Sequence, residues 1–131
     1  MPSVFAKIIN REIPAHIVAE DDNYLAFLDI NPLVEGHTLV IPKVEVDYIF
    51  DLDDEVLAGL HVFAKKVAKA IKQVIPCERV GVSVIGVEVP HAHVHLIPFK
   101  TMDDMNFVNI KLSPSQDELA AVAKKIKGAL D

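Results

Sequence analysis

Apolar positions change their period several times along the chain, and each change marks an element. Val4, Phe5, Ile8 and Ile9 fall on one stripe at helical spacing, which predicts a short helix over Val4 to Asn10 with Ser3 as its cap. His16 to Glu20 and Tyr24 to Leu28 read as two strands of a hairpin, because Asp21-Asp22-Asn23 between them is turn chemistry. Asn31-Pro32 ends that hairpin, and Gly36 precedes a third strand, His37 to Pro42. Acids at Asp51 to Asp54 open the longest helix. Its stripe runs through Val56, Leu57, Leu60, Phe63, Ala64, Val67 and Ile71 until Pro76 stops it. Val80, Val82 and Val84 alternate with other residues as a fourth strand, and Val89 to Pro98 reads as the fifth.

The remaining segment has a different character. Lys100 to Lys111 shows no clear period. Ser113-Pro114-Ser115-Gln116 then reads as a capping box with proline at the first helical position, and Leu119, Val122, Ala123, Ile126 and Leu130 continue an amphipathic helix. The expected fold is α+β, a five-stranded antiparallel sheet with the long helix packed on it and a C-terminal helix. Residues 1–99 would carry the chemistry, and 100–131 would be a C-terminal extension within the same compact unit.

Composition narrows the class. A chain of 131 residues suits one domain, and 51% hydrophobic with 24% charged residues is the balance of a soluble globular protein. No run approaches the roughly 18 apolar residues of a membrane span, and Met1 to Lys7 lacks the basic-then-apolar design of a signal peptide. A single cysteine, Cys77, excludes an internal disulfide and a paired-cysteine zinc site. A cytoplasmic location is therefore expected, without membrane attachment. The net charge of −6 is spread along the chain, which argues against nucleic-acid binding through many phosphates. An anionic small molecule is still allowed, since a local site can use imidazoles and backbone N–H groups.

Candidate chemistry concentrates in His91-Ala92-His93-Val94-His95. On a strand, positions i, i+2 and i+4 share a face, so three imidazoles would line one surface while Ala92, Val94 and Leu96 point into the core. Two chemistries suit such a row. Two of the imidazoles could ligate zinc, although His91 and His95 are too far apart along a strand for all three to meet one ion. Alternatively, one imidazole is a nucleophile and its neighbours position a phosphate and handle protons. Gly86 just upstream suits the second, because glycine lets backbone approach a phosphate closely. His37 follows Gly36 at a strand start, where it could reach a neighbouring strand. His16 and His61 read as exposed or boundary residues.

The alternation His91, His93, His95 resembles the signature of the histidine triad (HIT) family. Phe5 to Ile9, Glu12 to Ala15, Phe27 to Pro32 and Gly36 to Lys43 match further family segments, in family order over roughly residues 3 to 98. The resemblance is closest to the Hint-like nucleotide hydrolase branch. It implies a nucleotidyl hydrolase or transferase that acts at an α-phosphate through a covalent nucleotidyl-histidine. By the same matching His93 is the nucleophile, His91 and His95 contact phosphate and hold its tautomer, and His37 is the family's upstream histidine. Val4, Phe5, Ile8, Phe27, Leu28 and Ile30 would line a base pocket, and Asp29 would accept from ribose hydroxyls. Gly86 and Glu88 would lie on a phosphate-side loop. The resemblance also implies a purine nucleotide ligand and a homodimer whose sheets join; no cofactor is expected, and Ser3 and Ala6, in the places of a zinc-binding cysteine pair, argue against structural zinc.

Three positions depart from the family pattern. Val87 stands where many members carry glutamine, Gly81-Val82-Ser83 lacks the usual asparagine, and Ser3 and Ala6 occupy the places of a zinc-binding cysteine pair in some bacterial members. The leading expectation is hydrolysis of a purine nucleoside phosphoramidate. Dinucleoside polyphosphate hydrolysis, a nucleotide-binding module with little turnover, and a metalloprotein using His37, His91 and His93 are the alternatives.

Overall fold

The computed structural model describes residues 2–130, so Met1 and Asp131, which bound the two expected segments, lie outside the described residues. The chain runs α1 (Val4–Ile9), β1 (Ile17–Glu20), β2 (Tyr24–Leu28), β3 (Thr38–Pro42), α2 (Asp54–Val74), β4 (Arg79–Ser83), β5 (Val94–Phe99) and α3 (Gln116–Gly128). Single turns of 3-10 helix cover Ile49–Asp51 and Met102–Met105. The strands form one antiparallel sheet in the order β1-β2-β3-β5-β4, the α+β architecture read from the sequence. Among the described residues no helix is long and apolar enough to cross a membrane.

Strand alternation divides the interior in two. Tyr24, Ala26, Leu28, Val40, Val94 and Leu96 pack beneath α2 and α3, against Leu60, Phe63, Val67, Ile71, Leu119, Val122 and Ile126. Leu25, Phe27, Leu39 and Ile41 face the other way and close on Phe5 and Ile8 of α1. Helix α3, at 13 residues, is marginal by itself. Its apolar stripe holds it to β1, β2 and α2, each fully buried Leu or Ile contributing about 1.5–3 kcal/mol. Its start differs from the sequence reading: the cap is Ser115, reciprocated by Glu118, and Pro114 lies ahead of the helix. The Ser115–Glu118 spacing satisfies both orphan donors, which Ser113 with Gln116 would have done one turn-fraction too early.

The histidine run also differs from expectation. Of the three, His95 lies within β5, while His91 and His93 precede it in an irregular lead-in. That lead-in is tied by Ala92 N–H donating to Val46 O at 2.7 Å and by His91 N–H donating to Val89 O at 2.8 Å. It lacks a ladder because β3 pairs with β5 only from Val40↔Val94 onward. The alternation survives, with Ala92, Val94 and Leu96 in the α2-side core, His91 and His93 turned toward Phe5 of α1, and His95 facing His37 and Phe107.

Candidate active site

Two strand ends and one short helix build the site. Gly36, at φ +92°, turns the chain into β3 where a Cβ would stand only 3.0 Å from Ile75 Cγ1, so the turn before His37 depends on glycine. Register then sets Leu39 opposite His95, and Ser83 flanks His95 from β4. Helix α1 brings Phe5 edge-on to His93, with ring centroids 5.0 Å apart. All four site histidines are buried.

Backbone partners fix the protonation of each ring. Leu33 N–H donates to His37 Nδ1 at 3.1 Å, and a backbone N–H can only donate. In the neutral ring the proton of His37 is therefore on Nε2, which faces His95 Nδ1 at 3.0 Å and donates to it. His95 in turn carries its proton on Nε2. His93 Nδ1 donates to His91 O at 2.7 Å, which leaves the His93 Nε2 lone pair free. The result is one imidazole with an available lone pair beside another with an available N–H.

Burial keeps the relay neutral. It pushes His37 down to about 4, with Lys111 and His93 acting in the same direction. Burial also pushes His95 down to about 3, assisted by His93 and His37. Asp29 lies 3.8 Å from His37 Nε2 and is no ion pair while His37 is neutral. Burial raises the Asp29 carboxyl, opposed by its bond from Asn31 N–H at 2.9 Å.

Two expected residues take other roles. The His91 ring is wholly buried, its Nε2 donating to Pro42 O at 2.8 Å and its Nδ1 3.3 Å from Ser3 Oγ. Both ring nitrogens are thus engaged, so the ring has no group left for phosphate; what His91 offers His93 is its carbonyl. Leu28 points into the α2-side core, because strand alternation turns it away from Phe27. Phe5, Ile8 and Phe27 do come together, while Val4 (43% exposed) and Ile30 (56%) stand at the surface. Gly86 takes a left-handed φ of +76° in the open loop after β4, and Glu88 is exposed on the same loop. His61 is exposed and His16 half-buried, within the exposed-or-boundary reading of the sequence.

Clefts flank the histidines on two sides. One of about 880 Å³ is walled by Tyr48, Phe50, Leu57, Ile85, Gly86 and His93, and one of about 440 Å³ by Asp29, His37, Leu112 and Leu119 among others. Sequence reasoning missed five contributors: the His91 and Pro42 carbonyls, the Leu33 N–H, the Ser3 hydroxyl as a partner of His91, and Phe107. Phe107 meets His95 edge-on, with ring centroids 4.8 Å apart. Backbone groups carry no sequence signal, and Phe107 lies in the stretch without a period.

The same bonds bear on metal binding. Among the described residues, the donor atoms of Asp29, His37 and His95 lie within 4.8 Å of one another, a set different from His37, His91 and His93. A ligating histidine normally donates from its other nitrogen. A metal on His37 Nε2 would put a proton on Nδ1, directly against the Leu33 N–H. The donor set does not fit a resident ion.

Fold and site together define a small antiparallel α+β domain in which backbone groups set the tautomers of a buried histidine cluster. The chain belongs to the HIT domain family, whose family description matches residues 10–102, a family of nucleotide-binding proteins and hydrolases. It is 40% identical over 111 residues to an uncharacterized HIT-like protein of Borreliella burgdorferi, covering 79% of this chain and 80% of that one. It is 41% identical over 96 residues to the adenosine 5'-monophosphoramidase HNT1 of Saccharomyces cerevisiae, covering 72% of this chain and 61% of that protein. The fold superposes on a HIT-like protein of Bartonella henselae described as involved in cell-cycle regulation, with a TM-score of 0.85 and 35% identity over 98% of this chain and 96% of that one.

Proposed function

We propose that this protein hydrolyses or transfers a purine nucleotide at its α-phosphate, with phosphoramidate-type conjugates as substrates. The observation that carries the reading is the free Nε2 lone pair of His93, fixed by the Nδ1–H bond to His91 O. In the first step His93 Nε2 forms a bond to the α-phosphorus as the phosphorus–nitrogen bond to the leaving amine breaks. The amine departs with that electron pair and takes up a proton from solvent. The ring is then cationic, and the His91 carbonyl is already placed to stabilise its Nδ1–H. Water attacks phosphorus in the second step as the bond from phosphorus to His93 Nε2 breaks, and it loses a proton to solvent, releasing the nucleotide and restoring the neutral imidazole. His95 Nε2–H donates to the phosphoryl oxygens as charge builds on them.

Binding falls to residues around this pair. Phe5, Ile8 and Phe27 form the apolar wall for a base, with Val4 and Ile30 at its rim. Asp29 accepts from ribose hydroxyls. Gly86 presents backbone to the phosphates, and Glu88 belongs to the same loop. The single cysteine accords with a reducing compartment, so a cytoplasmic setting is part of the proposal. A homodimer is proposed through β4, whose outer edge is unpaired beside the exposed apolar residues Val82, Val84 and Ile85.

A nucleotide-binding module with little turnover is the second reading. It is favoured by Val87, 83% exposed where the family often has an amide, and by the short Ser83 beside His95. Incubation with a fluorogenic adenosine phosphoramidate and, separately, a diadenosine polyphosphate distinguishes the candidates. Release from the first is the expected result. Cleavage of only the second moves the substrate to dinucleoside polyphosphates, and saturable AMP binding with neither cleaved leaves the binding module.

A further inference from the structure

After β5 the chain makes the 3-10 turn Met102–Met105 and then returns across the histidine site as a strap, residues 106–112. The strap is fixed at both ends. Thr101 and Asp104 cap the turn reciprocally, and Met105 lies over Gly81 of β4, where a Cβ would stand 2.8 Å from its sulfur. At the far end Leu112 N–H donates to Pro32 O at 2.8 Å. Between these anchors Asn109 Nδ2 donates to Asp103 O at 2.7 Å, and Lys111 Nζ donates to the Phe107 and Asn109 carbonyls. The strap thereby carries its own backbone partners and holds one side chain inward. Val108 (86% exposed) and Ile110 (94%) point to solvent, whereas Phe107 is half-buried.

Phe107 covers the relay. Its ring meets His95 at 4.8 Å and 74° and His37 at 6.2 Å and 84°, edge-on to both. The charged and titratable groups around the pair are Asp29 at the end of β2, His93 beside His95, and Lys111 on the strap. We propose that Phe107 is a positioning residue for this site: its ring seals the His37–His95 contact from water and so keeps the relay proton pointing from His37 to His95. The role follows from elementary electrostatics. A hydrogen bond between two neutral imidazoles competes poorly with water, and the charged form of either ring would place two N–H groups head to head. An apolar ring against both removes the water and disfavours the charge. Burial holds both rings well below the usual imidazole range, in the same direction.

This inference rests on the reading of the pair as a support for nucleotidyl transfer, but its test needs no substrate. Imidazole nitrogen NMR on the ligand-free protein reports tautomer, titration and solvent exchange of each ring. In Phe107→Ala and Phe107→Gln the His37 Nε2 proton should exchange with solvent at least about tenfold faster, and His95 should titrate about one pH unit or more higher. Phe107→Leu, which restores apolar cover, should return both readouts close to the wild type. A ring that merely packed the strap would lower thermal stability without moving either readout. Wild-type exchange and titration in both the Ala and Gln variants would overturn the inference. Because these readouts precede turnover, a protein inactive on every nucleotide conjugate would sink the proposed function and leave this result standing.

Discussion

The imidazole Nδ1 of His93 lies 2.7 Å from the carbonyl oxygen of His91, a bond that only the Nδ1-protonated ring makes. It commits the lone pair to Nε2, so substitution of His93 removes only the proposed nucleophile. His93→Ala is therefore expected to lower turnover of an adenosine phosphoramidate by at least about 10⁴-fold. AMP affinity, measured by calorimetry, should stay within a few-fold of the wild type, because the apolar wall and Asp29 are untouched. Substantial residual turnover would remove His93 from the nucleophile's role.

His37 acts at one remove. It receives a proton bond from Leu33 N–H and passes one to His95 Nδ1, touching no substrate in this arrangement. His37→Ala leaves a buried donor and a buried acceptor without partners, at a cost of about 1–3 kcal/mol for such a group. The tautomer of His95 is then no longer specified. A fall in kcat on the order of a hundredfold with a nearly constant KM is expected, since loss of a tautomer-fixing partner acts on the transition state. A change confined to KM would instead make His37 a binding residue.

Acid should destabilise the fold through the same pair. Both rings have folded-state values depressed below the usual 6.5, His37 to about 4 and His95 to about 3. Above about pH 6.5 neither state takes up the proton and the stability is fully present. As pH falls from there, the unfolded chain binds protons that the folded one refuses, and stability drops until the folded values are passed. For His37 alone the loss amounts to roughly 3 kcal/mol by pH 4. Asp29, whose carboxyl is raised, acts with the opposite sign and offsets part of the fall. Urea denaturation between pH 7 and pH 4 should show the decline, and His37→Gln should flatten it. An unchanged slope in that variant would show that the acid sensitivity lies elsewhere.

What the sequence shows of this site is its side-chain periodicity, and what it hides is the backbone. Alternation alone puts His93 and His95 on the face opposite Val94 and Leu96, and helical spacing alone puts Phe5 and Ile8 on one stripe of α1. The same alternation, applied to β2, would have turned Leu28 away from Phe27, whereas family matching grouped them. The Leu33 N–H, the Pro42 carbonyl and the His91 carbonyl have no residue type that announces them, yet they set every tautomer. Ser3 was legible as a cap, and its Oγ does accept from Ala6 N–H at 3.1 Å. Its second contact, with the His91 ring 88 residues away, depends on tertiary packing that no local pattern encodes. Phe107 escaped for the same reason.

The edge at β4 supplies the last prediction. Among the described residues Arg79 to Ser83 pair only with β5, so the other side of the strand offers unpaired backbone groups there. Natural sheets usually blunt such an edge with charge or proline. Here Val82 is 56% exposed, and Val84, Ile85 and Val87 continue the apolar surface toward Tyr48 and Phe50. Tyr48, Phe50, Val84, Ile85 and Val87 wall the 880 Å³ cleft that ends at His93, so a second copy seated there would exclude water beside the proposed nucleophile. Light scattering at micromolar concentration should give twice the 14.4 kDa chain mass. Val82→Lys combined with Ile85→Glu puts charge where the two edges would meet, and should give the single-chain mass with the fold intact by circular dichroism. Its turnover should fall as well, since the cleft beside His93 would then open to solvent. A wild-type protein that scatters as a single chain would end the dimer proposal, while a dimer that survives both substitutions would move the interface to another face.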